Sequence, residues 1–344
     1  VHGAGERVPS SVGLDDRGPQ DVIPERNETT ADRAHEVEAL PDWTDSAVLV
    51  YGARKSGTTM LANLHDGGDE LLFFPSEIKL KQFAKRPWPD ASAAADFFYS
   101  QSRQLGGQFP NFDSRRYAER VERVKAQGIS SLRDLLRHDV YAVYRSATVR
   151  PETPRMWGMK EVGGDTEKIL QLFRTLFADG RIVMIVRDPG MVTRSVLLDR
   201  RRKGIRLGAR EILFQVRSPM DVLYAQTQLL DDPAIHFTTY EWLTGGFLQH
   251  EMKAICRYLG IAHTPVLEQT TIFGEPVVTR TASQQVSGVF RNRPRRNDGL
   301  SPRERLLVFL FSGWLRFRRL LARRRLMPYA DIVRRIETRR TAGC

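Results

Sequence analysis

The stretch from Ala47 to Met60, AVLVYGARKSGTTM, constrains what this chain can fold into more than any other. Ala47, Val48, Leu49, Val50 and Tyr51 run without a polar break, as a strand buried on both faces of a parallel sheet does. Gly52 then permits a tight turn, Lys55 supplies a cation, and Gly57 lets backbone approach a ligand. Ser56, Thr58 and Thr59 offer hydroxyls where a helix would start. Free N–H groups at a helix start favour negative charge, so the stretch predicts a strand, a phosphate-binding loop and a helix in succession.

Strands and helices alternate through most of the chain beyond Met60. Residues 71–74 read as a second strand ending at Pro75, with Glu77 just beyond it, and RMWGMK at 155–160 reads as a third. Asp165 caps a helix whose apolar residues, from Ile169 to Phe177, recur at helical spacing up to Gly180. IVMIV at 182–186 is a fourth strand closing on Arg187, Asp188 and Pro189, a proline suited to the first turn of a helix over 191–202 that carries Ser195. A helical pair over 211–230 interrupted at Pro219, a fifth strand at 234–238 and an amphipathic helix over 247–259 come next. The pattern weakens to loop beyond Pro265. It predicts an α/β fold of three layers, a central and mainly parallel sheet flanked by helices. In open sheets of this kind ligands bind outside the carboxyl ends of the strands, where Glu77 falls.

Residues 1–40 are polar and aperiodic and read as a flexible arm. Residues 45–300 form the main domain, with 85–155 a helical insertion over the site, and 301–344 a basic helical tail. The charge is uneven: residues 291–340 hold sixteen arginines against Asp298, Glu304, Asp331 and Glu337, a net +12 that equals that of the whole chain. A basic tail on a neutral body points to a locally anionic partner, and no nucleic-acid reading motif accompanies it. Three readings stay open: an interfacial helix on anionic lipid, a helix packed on its own domain, and a surface for a polyanionic acceptor. Two cysteines give no disulfide framework and fit a cytoplasmic protein, peripheral at the membrane if the tail binds lipid. No window reaches the length of a membrane span, and the first 40 residues lack the apolar core of a secretory signal.

The loop spacing separates the possible ligands. A nucleoside triphosphatase loop places its lysine after the second glycine, whereas Lys55 precedes Gly57, and the GxGxxG dinucleotide fingerprint is absent. Asp188 is the nearest candidate for a metal carboxylate, and it sits against Pro189. A P-loop kinase or triphosphatase is therefore disfavoured, while a non-catalytic phosphonucleotide-binding or membrane-associated module remains a different class of answer.

GARKSGTTM at 52–60 and VRDPGMVTRS at 186–195 resemble the 5′-phosphosulfate loop and the 3′-phosphate motif of sulfotransferases that use 3′-phosphoadenosine 5′-phosphosulfate (PAPS), closest in style to the carbohydrate enzymes. YEWL at 240–243 resembles a later element of that family, and the likeness runs from about 45 to 263. It implies the P-loop-like sulfotransferase fold. It further implies that Arg54, Lys55, Ser56, Gly57, Thr58 and Thr59 hold the phosphosulfate, that Arg187 and Ser195 hold the 3′-phosphate, and that Tyr240 contacts adenine. Arg291 or Arg293 would close over the nucleotide, although RNRPRR departs from the family pattern. Catalysis would fall to Lys55 at the bridging oxygen, Glu77 as base, Lys160 as a further cation and Ser195, in a metal-independent in-line transfer to a hydroxyl or amine of a carbohydrate or glycolipid, with 3′-phosphoadenosine 5′-phosphate (PAP) as product. Plainer roles compete: Glu77 as a salt-bridge partner of Lys79, Lys160 as a solvated strand-end lysine, Tyr240 as a core tyrosine.

Overall fold

The computed structural model describes residues 39–84, 97–98, 100–101, 105, 109, 111–129, 131–280, 285–287, 299–322 and 326–342. Strands β1 (Ala47–Gly52), β2 (Leu71–Glu77), β3 (Met156–Val162), β4 (Arg181–Val186) and β5 (Ile235–Thr239) form one parallel sheet in the order β2-β3-β1-β4-β5. All six residues of β1 are buried, as its central place requires. Alternation along β1 serves two cores: Leu49 and Tyr51 join one face, Val48 and Val50 the other. The chain builds the β2 and β3 side first and then crosses to β4 and β5, so the topological switch point lies between β1 and β4.

Helices α1 (Thr58–Leu64) and α2 (Leu80–Phe83) follow β1 and β2, and α3 (Ser114–Gln127) and α4 (Leu132–Ser146) precede β3. Tyr117, Leu136 and Val140 of α3 and α4 are buried in the same core as Leu49, so this part of the 85–155 insertion is a layer of the fold. After β3 comes α5 (Thr166–Leu176), capped by Asp165, which accepts from the Lys168 amide at 3.3 Å. Next are α6 (Pro189–Arg202), α7 (Ala209–Gln228), α8 (Tyr240–Thr244) and α9 (Leu248–Leu259), the last packed on the second face through Met252 and Leu259. Residues 1–38 of the expected arm lie outside the described residues.

The structure corrects several expectations. β2 does not stop at Pro75 but continues to Glu77, with a register shift after Phe73. It can do so because β2 is an edge strand and Pro75 falls in the irregular stretch between the Phe73 and Glu77 pairs, where no register pair with β3 is made. Nor does Pro219 divide its segment: α7 is continuous, and the Gln215 carbonyl that residue 219 would normally bond instead accepts from the Thr193 hydroxyl of α6 at 3.2 Å. Beyond 265, two short antiparallel pairs form, β6 (Thr271–Ile272) with β7 (Glu275–Pro276) and β8 (Val278–Arg280) with β9 (Gln285–Ser287).

The basic C-terminal segment divides in two. Helix α10 (Pro302–Leu321) starts on a capping box of Ser301 and Glu304 and packs against α7 through buried Leu315. Helix α11 (Tyr329–Ala342) buries Ile332 and Ile336 in the main core. Its arginines serve the fold: Arg340 pairs with buried Glu251 and donates to the Phe237 carbonyl of β5 at 2.6 Å, while Arg339 donates to the Leu230 carbonyl at 2.7 Å. Among the described residues, no helix is long and apolar enough to cross a membrane.

Candidate active site

The loop after β1 is folded back on its own strand. Ser56 is fully buried, and its Oγ lies 2.5 Å from where a Cβ on Gly52 would stand, so residue 52 has to be glycine for the turn to close. That hydroxyl has no hydrogen-bond partner among the described residues. Lys55 adopts a left-handed φ of 64°, a conformation that for a side chain with a Cβ stores about 1–3 kcal/mol and recurs at functional loops. Its half-exposed Nζ sits 3.3 Å from Asp199 on α6. Gly57, at φ 107°, begins α1 without a side-chain cap, so the first-turn amides after it have no intrahelical acceptor. Thr58 is buried, whereas Arg54 and Thr59 are exposed on the rim.

Arg187, the first residue past β4, reaches this loop directly. Its Nη1 donates to the Lys55 carbonyl at 2.6 Å, and its guanidinium lies 3.7 Å over the ring of Tyr240, at the start of α8. The same ring stands 2.6 Å from where a Cβ on Gly57 would be. Lys55, Gly57, Arg187 and Tyr240, from three strand ends, therefore form one cluster at the switch point. Tyr240 is half-buried, facing that cluster while packing against the core of Val48, Val50 and Leu61. Arg187 Nε is buried without a partner among the described residues. Ser195 is half-buried on α6 one turn before Asp199, so the two share the helix face that meets Lys55. Asp188 has a structural task, capping α6 by accepting from Gly190 at 2.9 Å and Met191 at 3.1 Å. Among the described residues, no group of side chains has metal-ligand grouping.

On the other side of β1, Lys160 and Glu77 are register partners of β3 and β2. Lys160 is only 6% exposed and donates to the Pro75 carbonyl at 3.1 Å. It is not a solvated strand-end lysine: burial lowers its ammonium from 10.5 to about 8, against the opposing pull of the Glu77 carboxylate. The nearest ion-pair partner of Glu77 is Lys81 at 3.7 Å, not Lys79. Lys81 also meets Glu161 at 3.1 Å, and Glu161 is fully buried, which leaves Glu77 as the reachable carboxylate of the pair.

Sequence reasoning missed Asp199, Lys81 and Glu161, because the contacts that bring them to the site, Lys55 with Asp199 and Lys81 with Glu161, join residues far apart in the chain. Asp199 is held below the usual carboxylate range: burial pushes it up, but Lys55 and Lys203 outweigh that effect. Arg291 and Arg293 lie outside the described residues. The carboxyl edge of the sheet thus carries two basic groups, Lys55 with Arg187 at the ends of β1 and β4, and Lys160 with Lys81 beside the accessible Glu77 carboxylate at the ends of β2 and β3. Such an arrangement can bind a ligand bearing several negative charges and accept a proton beside it.

A sequence profile described as the sulfotransferase family matches residues 47–265, more than half of the chain. No curated protein sequence matches it. Among solved structures, the chain is similar to a sulfotransferase domain from the curacin biosynthetic pathway, at 16% identity over 78% of this chain and 97% of that one, with a TM-score of 0.47. It is similar also to the sulfotransferase domain of the Synechococcus PCC 7002 olefin synthase, at 15% identity, 87% and 97% coverage and a TM-score of 0.45. A mouse sulfotransferase complexed with PAP aligns at 14% identity, 87% and 89% coverage and a TM-score of 0.42.

Proposed function

The chain belongs to the sulfotransferase family, and from that premise we propose that it transfers the sulfuryl group of PAPS to a hydroxyl or amine of an acceptor, a carbohydrate or glycolipid. The observation that carries this reading is the junction of the two basic motifs, with Arg187 bonded to the Lys55 carbonyl at 2.6 Å and stacked on Tyr240. A bisphosphate donor needs cations at two places on one edge, and this junction supports them. The unpaired Arg187 Nε and the uncapped start of α1 fit such an anion, and Gly57 keeps any side chain out of the loop.

PAPS, when bound, supplies a sulfuryl group activated on a phosphosulfate anhydride. Arg54, Lys55, Ser56, Gly57, Thr58 and Thr59 hold its 5′ end, with Arg54 and Thr59 on the rim. Arg187 and Ser195 hold the 3′-phosphate, and Tyr240 meets adenine. Lys55 neutralises charge growing on the bridging oxygen, the kind of electrostatic assistance that carries about 10²–10³ in rate per donor. Glu77 takes the proton of the attacking hydroxyl, and Lys160 keeps a buried ammonium beside the transferred group. The lysines and arginine carry the charge stabilisation without a metal ion. A cytoplasmic setting fits the two cysteines, of which Cys256 is buried and free.

Calorimetry with PAP against ATP and magnesium tests the donor. Tight binding of PAP is expected, and tight binding of ATP without affinity for PAP overturns the reading. Labelled sulfate followed from PAPS into a panel of glycans, glycolipids, phenols and amines identifies the acceptor. Glu77→Gln should lower turnover by about 10²-fold or more, and full turnover with chemistry rate-limiting would remove Glu77 as the base.

A further inference from the structure

Helix α10 has apolar residues on two opposite faces. The inner face packs on α7 and its neighbours through Leu315, Leu307 and Phe311. On the outer side Leu306, Phe309, Leu310, Trp314, Phe317 and Leu320 are between 47% and 74% exposed. Their spacing of three and four residues places them in one stripe along the helix. A contiguous stripe of large apolar side chains at the surface marks a contact face.

We propose that this face of α10 docks on an anionic lipid bilayer surface. Arg303, Arg305, Arg316 and Arg318 are exposed on the same helix, and Arg318 lies 5.4 Å over the ring of Trp314. The single acid of α10, Glu304, is occupied by the Ser301 cap and by Arg201. A pocket of about 330 Å³ opens between α6, α7 and α10, with Arg305 and Arg316 on its wall beside Phe309 and Gly313 at the edge of the stripe. Guanidinium groups next to an apolar strip suit a phosphate-bearing headgroup whose chains lie along the helix. A second copy of this chain would instead set the same arginines against one another, like charge facing like. As α10 is not long and apolar enough to cross a membrane, it lies in the plane of the interface.

Flotation of the full chain with vesicles of phosphatidylcholine plus phosphatidylserine, against phosphatidylcholine alone, tests the proposal. Wild-type protein should bind the anionic vesicles at least about tenfold more tightly, with the advantage falling as salt rises. The triple variant Phe309→Ser, Trp314→Ser, Phe317→Ser should lose most of that binding, and Arg305→Ala with Arg316→Ala should lose the preference for phosphatidylserine while staying folded by circular dichroism. Folded wild-type protein that ignores anionic vesicles overturns the proposal. So does a wild-type dimer in sedimentation that the triple variant breaks without any vesicle binding, which would assign the face to a second copy. Should the triple variant fail to fold, the arginine pair decides. None of these readouts uses sulfuryl transfer, so their failure leaves the proposed activity standing.

Discussion

On the β1 and β4 side of the sheet edge, Lys55 and Arg187 are half-exposed and are positioned by a loop carbonyl, an aromatic ring and Asp199. On the β2 and β3 side, Lys160 is buried inside a strand and is positioned by sheet register and the Pro75 carbonyl. The first pair is partly open to water, and its geometry depends on glycines that admit the turn. The second keeps an ammonium where burial opposes it, yet at about 8 the group remains mostly charged near neutral pH. Loops and strands thus divide the work of holding positive charge, and substitutions on the two sides should separate activity from stability in different ways.

The largest effect is expected at Lys55→Ala, which should reduce turnover by about 10²–10³-fold in a labelled-sulfate assay with little change in stability. Equal losses in both quantities would break the contrast. Lys160→Met should lower turnover by about 10²-fold while stabilising the fold at pH 7 by about 1–2 kcal/mol, measured by urea unfolding. The sign follows from a folded value of about 8 against 10.5 unfolded: the unfolded chain binds more protons between them, so wild-type stability rises with pH through that window and the variant lacks the rise. A destabilised variant at pH 7 would mean that the Pro75 and Glu77 contacts outweigh desolvation. Gly57→Ala, at φ 107° and with the Tyr240 ring 2.6 Å from the new Cβ, should weaken PAP binding about tenfold and destabilise the fold by about 1–3 kcal/mol. The smallest effect is expected in a titration of Lys160 by NMR of methylated lysines. Glu77→Gln removes a carboxylate that raises the lysine's value, so the midpoint should move down, and an unmoved midpoint would uncouple the pair.

The strands β1 and β4 and the capped helix α5 were legible because unbroken apolar runs and an N-cap aspartate are local signals. Lys55 and Arg187 were legible for the same reason, each sitting in a short motif at a strand end. Their contact was not, because the carbonyl and ring that Arg187 uses lie far away in sequence. Pro75 and Pro219 misled because their cost depends on tertiary surroundings: an edge position excuses one, and the Thr193 hydroxyl from another helix compensates the other. The basic segment shows the same limit. Net charge alone does not tell which of its arginines face outward and which serve the fold: Arg319 pairs with Asp221, Arg335 with Asp231 and Arg340 with Glu251, acids carried by the neutral body.

The Arg340 bond to the Phe237 carbonyl closes the outer side of β5, while Pro75 blunts β2 at the opposite margin of the sheet. Pro75 is in place as soon as β2 is synthesised, but α11 emerges from the ribosome long after β5. A nascent chain therefore passes through an interval in which one margin is already guarded and the other can still recruit a foreign strand. Truncation ahead of Tyr329 would make that interval permanent, and its expected signature is loss of soluble yield through strand-to-strand aggregation.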